Sequence, residues 1–332
     1  LLAGVFFLWI VLAASCDSAD PVGVGGKEDA SVITRPVAGG EKIARAIENT
    51  GENVSAGVQP AAEVQPVADA TLVDLLSTHT AEELEYLLNL KKGGAAPLTV
   101  LPSASPEIIL LGEALFWDRE LGGNRDMACV TCHHPLAGTG DDLSLPVGTG
   151  GRGFTARRLP GQDRELIPRN APEIFNRGVE GWVTMFWDGR ASGRAEEGFH
   201  SPAGAALPDG LDNVVAVQAM FPVTSRDEMR GLSGDMDVFG QPNEIALIPD
   251  DDLPAIWGAL MVRLLAIPEY QDLFTAAYPD IPLEQLGFQQ AANAMAAYEM
   301  STFTYTGSPW NRYLSGEEEV LSDPAQRGAA LF

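Results

Sequence analysis

Two cysteines and two histidines lie together in the segment ACVTCHHP, residues 128–135, and their types and spacing are the ones in this chain best suited to chemistry. Cys129 and Cys132 are separated by two residues, and His133 follows directly. Three kinds of site use such a pattern: a zinc site, a redox-active dithiol, and haem attached covalently through two thioether bonds. The rest of the sequence bears on the choice.

Zinc and dithiol sites find little support elsewhere in the sequence. A structural zinc ion usually has four protein ligands, yet no cysteine follows Cys132 in the chain, and after His133 only two histidines remain, His134 and His200. A thioredoxin-type dithiol belongs to a βαβ unit, whereas a helix and a loop are predicted before Cys129.

Covalent attachment of haem is the chemistry that CxxCH favours, because both thiols can bond to haem vinyl groups while the adjacent histidine binds the iron. We therefore predict haem c, attached at Cys129 and Cys132 and ligated by His133. His134 is predicted to be a bystander, since neighbouring residues cannot reach the iron from opposite sides.

The composition sets the class of protein and of partner. With 332 residues and 45% hydrophobic content, the chain can bury one large core or two modest ones. Its 21 basic and 46 acidic residues give a formal charge of −25, which argues against nucleic acid and anionic membranes as partners. The acidity fits a basic protein or a cation, although net charge mainly reports solubility.

The N-terminal segment predicts export. The apolar run LLAGVFFLWIVLAASC, residues 1–16, is short for a membrane span but has the length of the apolar part of an export signal. Small residues at 13–15 before Cys16 resemble a lipobox, which would make Cys16 a lipid anchor in the periplasm; ordinary signal cleavage nearby is the alternative. Because the chain starts at Leu1 without a methionine, we expect its true beginning to be missing.

The rest of the sequence predicts a flexible tether followed by an all-α domain. Residues 17–70 are rich in Gly, Ala, Val, Pro and Ser without a sustained period, which is typical of a tether. Helices are predicted in TAEELEYLLNLKK, with a Thr cap, and in PEIILLGEALFW, which leads to the cysteines. Residues 138–180 are dense in Gly, Pro, Asn and Arg and predict long ordered loops.

The C-terminal third of the chain is helical by the same criterion. Apolar residues recur three and four apart in three segments, DLPAIWGALMVRLLAIPEY, PEYQDLFTAAYP and LEQLGFQQAANAMAAYEMSTF. No strand-like alternation of useful length and no internal repeat is evident. The sequence therefore predicts an all-α fold with long connections.

Several segments together resemble the bacterial di-haem cytochrome c peroxidase and MauG family. They are LGEALFWDRELGGNRDMACVTCHHPLAGTGDDLSLPVGTGG, RNAPEIFNRG and MFWDGRA, in the order and spacing of that family, and the likeness covers residues 106–332. It implies a cytochrome c-like, peroxidatic haem domain over residues 71–310.

The resemblance extends to the end of the chain. The segment SPWNRYLSGEEEVLSDPAQRGAALF is similar to the family's connection into a second haem domain, so residues 311–332 would begin a second cytochrome c-like domain. A second CxxCH and a second haem are then expected beyond Phe332, and we expect the chain to be a piece of a longer protein. A natural single-haem protein is the alternative.

The resemblance also implies roles for two single residues. Trp187 in FWDGR matches a tryptophan that lies between the two haems and can carry an electron; a packing aromatic is the alternative. Asn170 in RNAP matches a ligand of the calcium ion held between the haems, whose other protein ligands would be backbone oxygens beyond Phe332. A turn or capping asparagine is the alternative there.

Peroxide chemistry needs an acid/base group beside the haem, and the family uses a glutamate for it. In the family this glutamate lies in a Pro-Val-Glu-Met run, whereas here FPVTSRDEM has inserted residues and offers Glu228. We predict Glu228 in this role, with Glu197, His200 and Asp227 as rivals and a plain surface acid as the alternative. The stretch between lacks the glutamine common in related peroxidases.

One residue of the family is absent. In many of these peroxidases a histidine in the Gly-rich loop after CxxCH caps the first haem until the second haem is reduced. Its place falls at Thr149, in VGTGG, and threonine is not such a ligand. The first haem is therefore expected to be open in the oxidised protein, with His200 as the one plausible substitute cap.

Together these features predict an exported peroxidase that reduces hydrogen peroxide to water, with electrons from a small cytochrome c or copper protein. Two alternatives remain open. The first is MauG-like oxidation of another substrate, which depends on an axial ligand expected beyond Phe332. The second is a haem c electron carrier, in which Met or His would fill the sixth coordination position of the His133 haem.

Overall fold

The computed structural model describes residues 80–83, 85 and 95–331. The predicted export signal at 1–16, the lipid anchor at Cys16 and the tether at 17–70 lie outside the described residues and stay predictions. The described residues fall in one unit, and the predicted domain boundary after residue 310 also stays a prediction.

The described part of the chain is built mainly from helices. The α-helices are α1 (Pro106–Trp117), α2 (Cys129–Cys132), α3 (Val214–Ala219), α4 (Leu253–Leu265), α5 (Pro268–Ala277), α6 (Phe288–Thr302), α7 (Pro309–Leu314) and α8 (Asp323–Leu331). A π-helix covers Arg226–Arg230. Three strands are present, β1 (Thr184–Met185), β2 (Ala191–Arg194) and β3 (Gly198–His200).

Two predicted helices begin at the capping residues that the sequence indicated. The Ser105 hydroxyl accepts the N–H of Ile108 at 3.3 Å and starts α1, with Pro106 in its first turn. Thr80 and Glu83 exchange hydrogen bonds between backbone N–H and side chain at 2.7 and 3.1 Å, forming a capping box. The rest of that helix lies outside the described residues, apart from residue 85.

The core forms where α1 lies along α6. Leu111 and Leu115 of α1 are fully buried, as are Ala291 and Ala294 of α6. At Gly112 the two backbones come so close that a Cβ atom would lie 1.8 Å from the carbonyl oxygen of Ala294. Glycine is therefore required at this crossing, because any larger residue would force the helices apart.

Substitution of Gly112 by alanine should separate α1 from α6. We expect Gly112→Ala to lower the free energy of unfolding by about 3 kcal/mol and the melting temperature of the haem-loaded protein by about 6–12 °C. Gly258→Ala in α4 is the control, because a Cβ atom there meets no atom within 4 Å and a helical alanine is favoured by about 0.5–1 kcal/mol over glycine. Equal melting temperatures of the two variants would contradict the close crossing.

A small antiparallel sheet corrects the all-α prediction. The strands pair in the order β1-β2-β3, with Met185 opposite Ala191 and Gly193 opposite Phe199. They have two to four residues each, too few to show alternation in a sequence. The fold is thus helix-rich with a small sheet, whose first turn carries the FWDGR segment.

Long loops link these elements, as the Gly- and Pro-rich segments predicted. Between α2 and β1 the chain forms turns, short 3-10 helices and isolated bridges, such as Val147 with Leu166 and Arg152 with Leu159. Within residues 80–83, 85 and 95–331, no single helix is long and apolar enough to cross a membrane. The pair α4 and α5 reaches that length together but is bent by 107°.

Candidate functional site

One cavity collects all the site residues that the sequence predicted. It has a volume of about 580 Å³, within the range of ligand and cofactor pockets. The loops after α2, the sheet turn, the π-helix and α6 all contribute to its wall. The predicted residues that line it are Cys129, Cys132, His133, Asn170, Trp187 and Glu228.

Helix α2 places both cysteines on the cavity wall. A single helical turn puts residues three apart on one face, so the thiols of Cys129 and Cys132 lie side by side. Burial raises the pKa of each thiol to about 12. A redox dithiol works through a lowered thiol pKa, and no group of three or more His, Cys, Asp and Glu side chains able to hold a metal ion occurs among the described residues. The raised pKa values of both thiols weaken the dithiol alternative.

The His133 imidazole is oriented by a backbone hydrogen bond. Its Nδ1 lies 3.2 Å from the carbonyl oxygen of Thr139, and the ring also has a hydrogen bond with the backbone of Pro172. Because a carbonyl can only accept, the Thr139 contact favours the tautomer with the proton on Nδ1. Nε2 then keeps its lone pair for a metal. Burial lowers the pKa of His133, which favours the neutral, metal-binding form. Thr139 is itself fixed, since its hydroxyl accepts the N–H of Ile174 at 3.0 Å.

Thioether side chains make part of the cavity wall apolar. Buried methionines from four segments line it: Met127, Met185, Met229 and Met295. Soft, adaptable side chains of this kind suit a large flat ring. With two adjacent thiols and an oriented imidazole on the same wall, these residues fit a covalently attached haem.

Glu228 reaches the cavity from the π-helix Arg226–Arg230. The N–H groups of Arg230 and Gly231 donate to carbonyls five residues back, at 2.9 and 3.0 Å, and such wide turns are frequent at functional sites. Burial raises the pKa of the Glu228 carboxyl to about 7, a rise that Arg190 opposes and Asp227 reinforces. Such a value suits an acid/base group at neutral pH.

The three rivals of Glu228 occupy other positions. Glu197 lies in the turn between β2 and β3, His200 ends β3, and both are exposed. Asp227 adjoins Glu228 in the π-helix but is exposed as well. The catalytic role of Glu228 remains a prediction, now with a place beside the CxxCH residues.

Arg190 is a cavity residue that the sequence reasoning missed, although it belongs to the quoted FWDGR segment. Its guanidinium lies 4.3 Å from the centre of the Phe186 ring, and Nη1 is 3.2 Å from a carboxylate oxygen of Asp188. These two contacts hold a positive charge on the same wall as Glu228. Phe186 has a φ of 65°, an uncommon conformation for an aromatic residue, and such conformations cluster at functional sites.

Trp187 and Asn170 are joined to one another. The indole Nε1 of Trp187 donates to the backbone carbonyl of Asn170 at 3.1 Å, and the Asn170 amide donates to the carbonyl of Leu143 at 2.5 Å. Trp187 is 64% exposed, so in the described residues it is not a core aromatic. The electron-relay role of Trp187 and the calcium-ligand role of Asn170 both stay predictions.

Glu299 is a second buried acid on the cavity wall that the sequence reasoning missed. It lies in α6 and is 7% exposed, and its Oε2 has no hydrogen-bond partner in the described part of the chain. Burial raises its pKa to about 8, partly opposed by Arg177. Nothing in the sequence around Glu299 indicated this position, because the burial of α6 comes from its packing in the fold.

Another cavity of similar volume, about 590 Å³, lies beside α4. Apolar side chains such as Trp257, Met261 and Leu286 line much of it. None of the predicted site residues is on its wall, so the chemistry-bearing side chains converge on the cavity of the CxxCH segment.

Comparison with known proteins gives a consistent result. Residues 106–319 match the model of the family described as di-haem cytochrome c peroxidase. The methylamine utilization protein MauG of Methylorubrum extorquens is 30% identical over 239 residues, covering 72% of this chain and 48% of MauG. The cytochrome-c peroxidase IdrP1 of a Pseudomonas species is 25% identical over 243 residues, covering 71% of this chain and 48% of that protein. The chain thus spans about half the length of these relatives.

Among solved structures, a MauG-like protein associated with microbial copper homeostasis is 23% identical with a TM-score of 0.43, over 71% of this chain and 51% of the other.

Proposed function

The chain belongs to the di-haem cytochrome c peroxidase and MauG family, and from this membership we propose that it reduces hydrogen peroxide to water. The overall reaction is H₂O₂ + 2 e⁻ + 2 H⁺ → 2 H₂O. One observation carries the proposal: Glu228, an acid whose pKa burial raises to about 7, shares a cavity with Cys129, Cys132 and His133. A carrier needs the cysteines and the histidine, but only peroxide chemistry needs the acid.

The first part of the proposal concerns the cofactor. Cys129 and Cys132 would attach one haem c, and the imidazole of His133 would hold its iron. When bound, the haem supplies an iron that binds peroxide and exchanges single electrons. The chain's own contribution is to fix the ring through two thioethers, to orient the imidazole through Thr139, and to surround the ring with methionine side chains.

Proton transfer is the task of Glu228. Its carboxylate would accept the proton of one peroxide oxygen and return it to the other as the O–O bond breaks, so that the latter leaves as water. Arg190 places a positive charge on the same wall, which stabilises negative charge that develops on the leaving oxygen.

Electrons must enter from outside this cavity. We propose that they come from a small redox protein, by way of a second haem in the remaining length that the relatives have, and that Trp187 carries them across the mouth of the cavity. Its exposed indole and its tether to the Asn170 carbonyl support this role. A calcium ion ligated by Asn170 would stabilise the chain at the mouth of the cavity. The formal charge of −25 favours a basic cytochrome c or copper protein as the donor.

Two alternatives have some support. MauG-like oxidation of another substrate is supported by MauG being among the relatives, at an identity of 30%. An electron carrier is supported by the methionines on the cavity wall, since a thioether is a common sixth ligand of haem c. In a carrier the sixth position would be filled and peroxide would not react.

The place of action belongs to the proposal as well. We propose a periplasmic protein, exported by residues 1–16 and anchored through Cys16, on the strength of the apolar run and the preceding small residues. Haem attachment to CxxCH in an exported chain agrees with this location.

The proposal is tested on protein matured with a cytochrome c assembly system. We expect the mass of the chain to include one haem at Cys129 and Cys132, a pyridine haemochrome spectrum of haem c, and a rapid change of the Soret band on mixing with hydrogen peroxide. The Cys129→Ala/Cys132→Ala variant should lack covalent haem. A bare polypeptide mass would refute the attachment, and attached haem without any reaction with peroxide would favour the carrier.

A further inference from the structure

A polar contact joins the segment just before CxxCH to the loop that follows it. Both carboxylate oxygens of Asp126 are used: Oδ1 accepts the Thr149 hydroxyl at 2.8 Å, and Oδ2 accepts the N–H of Gly150 at 2.5 Å. Thr149 is 2% exposed. Because a carboxylate accepts both bonds, the loop at residues 148–150 is fixed to the haem-attachment segment.

The same loop contacts the backbone of Glu228. The N–H of Thr149 donates to the carbonyl oxygen of Glu228 at 2.8 Å. At Gly148 the approach is closer still, since a Cβ atom there would lie 1.8 Å from the carbonyl oxygen of Asp227 and 2.6 Å from that of Glu228. The π-helix is therefore pressed against the loop at the residue that points into the cavity.

Two further contacts surround this junction. Gly123, which precedes Asp126, donates its N–H to the carbonyl oxygen of Met229 at 2.7 Å. The buried guanidinium of Arg158 donates to the carbonyls of Val147 and Gly148, both at 2.7 Å. The backbone on either side of Glu228 is thus held by chain from both sides of the CxxCH segment.

We propose that Asp126 and Thr149 are positioning residues for Glu228, forming a lock that holds its carboxyl in the cavity lined by Cys129, Cys132 and His133. The lock consists of two hydrogen bonds in series. The Asp126 carboxylate accepts the Thr149 hydroxyl, and the Thr149 N–H donates to the Glu228 carbonyl. It rests on the proposed role of Glu228 in peroxide reduction and adds to it the residues that give the acid its place. It also gives a task to Thr149, at the loop position where the family resemblance implies a capping histidine.

The lock is tested with variants that keep size and shape. Asp126→Asn replaces one of the two carboxylate oxygens that accept hydrogen bonds from Thr149 and Gly150. Thr149→Val removes the hydroxyl while keeping the N–H. In the haem-loaded protein each should slow the first reaction with peroxide on the order of 10- to 100-fold, because small displacements of a reacting group have effects of that size. Asp252→Ala, which removes the N-cap of α4, is the control for a general loss of stability.

A double-mutant cycle separates positioning from stability. If Asp126 acts through Glu228, then Asp126→Asn should have no further effect on the peroxide rate in the Glu228→Gln background. A structural role alone would slow both backgrounds equally. A second measurement does not use the reaction: the infrared band of the Glu228 carboxyl, identified by its loss in Glu228→Gln, should shift in Asp126→Asn and stay in place in Asp252→Ala.

The outcomes distinguish the lock from the proposed function. If Glu228→Gln slows the reaction while Asp126→Asn and Thr149→Val leave both the rate and the infrared band unchanged, the lock is refuted and the role of Glu228 stands. If Glu228→Gln has no effect on the rate, the acid/base proposal fails first. The lock would also be overturned if Asp126→Asn slowed the peroxide reaction equally in the wild-type and Glu228→Gln backgrounds and left the infrared band of the Glu228 carboxyl in place.

Discussion

Glu228→Gln should slow the reaction of the oxidised, haem-loaded protein with hydrogen peroxide by about 10²–10⁴-fold, the usual contribution of a positioned acid/base group. Glutamine has nearly the same shape, so haem attachment and the Soret spectrum should be unchanged. The measurement is stopped-flow absorbance at the Soret band, which needs neither an electron donor nor a second haem.

The pH dependence of this reaction has a definite sign. Burial raises the pKa of Glu228 to about 7, and the group must be a carboxylate to accept a proton, so the rate should fall as the pH falls through that value. In Glu228→Gln this dependence should disappear. Glu197→Gln, at an exposed acid in the turn after β2, should keep both the rate and the pH profile. Equal rates for Glu228→Gln and the wild type would refute the acid/base role.

Hydrogen peroxide should react with the fully oxidised protein without any preceding reduction. Thr149 lies where the family resemblance implies a capping histidine, and its hydroxyl and N–H are both used, by Asp126 and Glu228. The alternative cap, His200, is an exposed residue at the end of β3. Electron paramagnetic resonance of the oxidised protein should therefore show a high-spin ferric signal, and His200→Ala should leave it unchanged.

Two results would contradict this prediction in different ways. A low-spin signal that becomes high-spin in His200→Ala would identify His200 as the cap and imply that its strand moves. A low-spin signal that becomes high-spin on replacing a cavity methionine, such as Met229→Leu or Met185→Leu, would identify a thioether ligand. The second result would favour the electron carrier over the peroxidase.

The parts of the fold that follow from local sequence were predictable. Helix α1 has its cap, its proline and its apolar stripe within a single segment, as does α4, and the apolar periodicity of α5 and α6 is likewise local. The CxxCH spacing likewise depends on one short stretch. These features need no knowledge of distant residues.

The features that the sequence did not predict depend on contacts between distant segments. Strands β1 to β3 are too short for a pattern, and the π-helix follows from packing against loops far away in the sequence. Asp126 and Glu299 have no distinctive neighbours in sequence. Asp126 became notable through its hydrogen bond to a loop 23 residues further along the chain, and Glu299 through its burial in α6. Propensity does not encode such relations.

The packing of α1 on α6 has a consequence for the order in which the protein is made. Because a chain is synthesised from its N-terminus, α1 and the CxxCH segment exist well before α6, which contributes Met295 and Glu299 to the cavity wall. Without α6, the cavity wall around Cys129 and Cys132 would lack Met295 and Glu299, and we expect both thiols to be more accessible. Once α6 docks, burial holds the pKa of both thiols at about 12, and a protonated thiol is a poor nucleophile. If haem c is attached as proposed, we therefore expect its attachment to precede the docking of α6, which then completes one wall of the cavity.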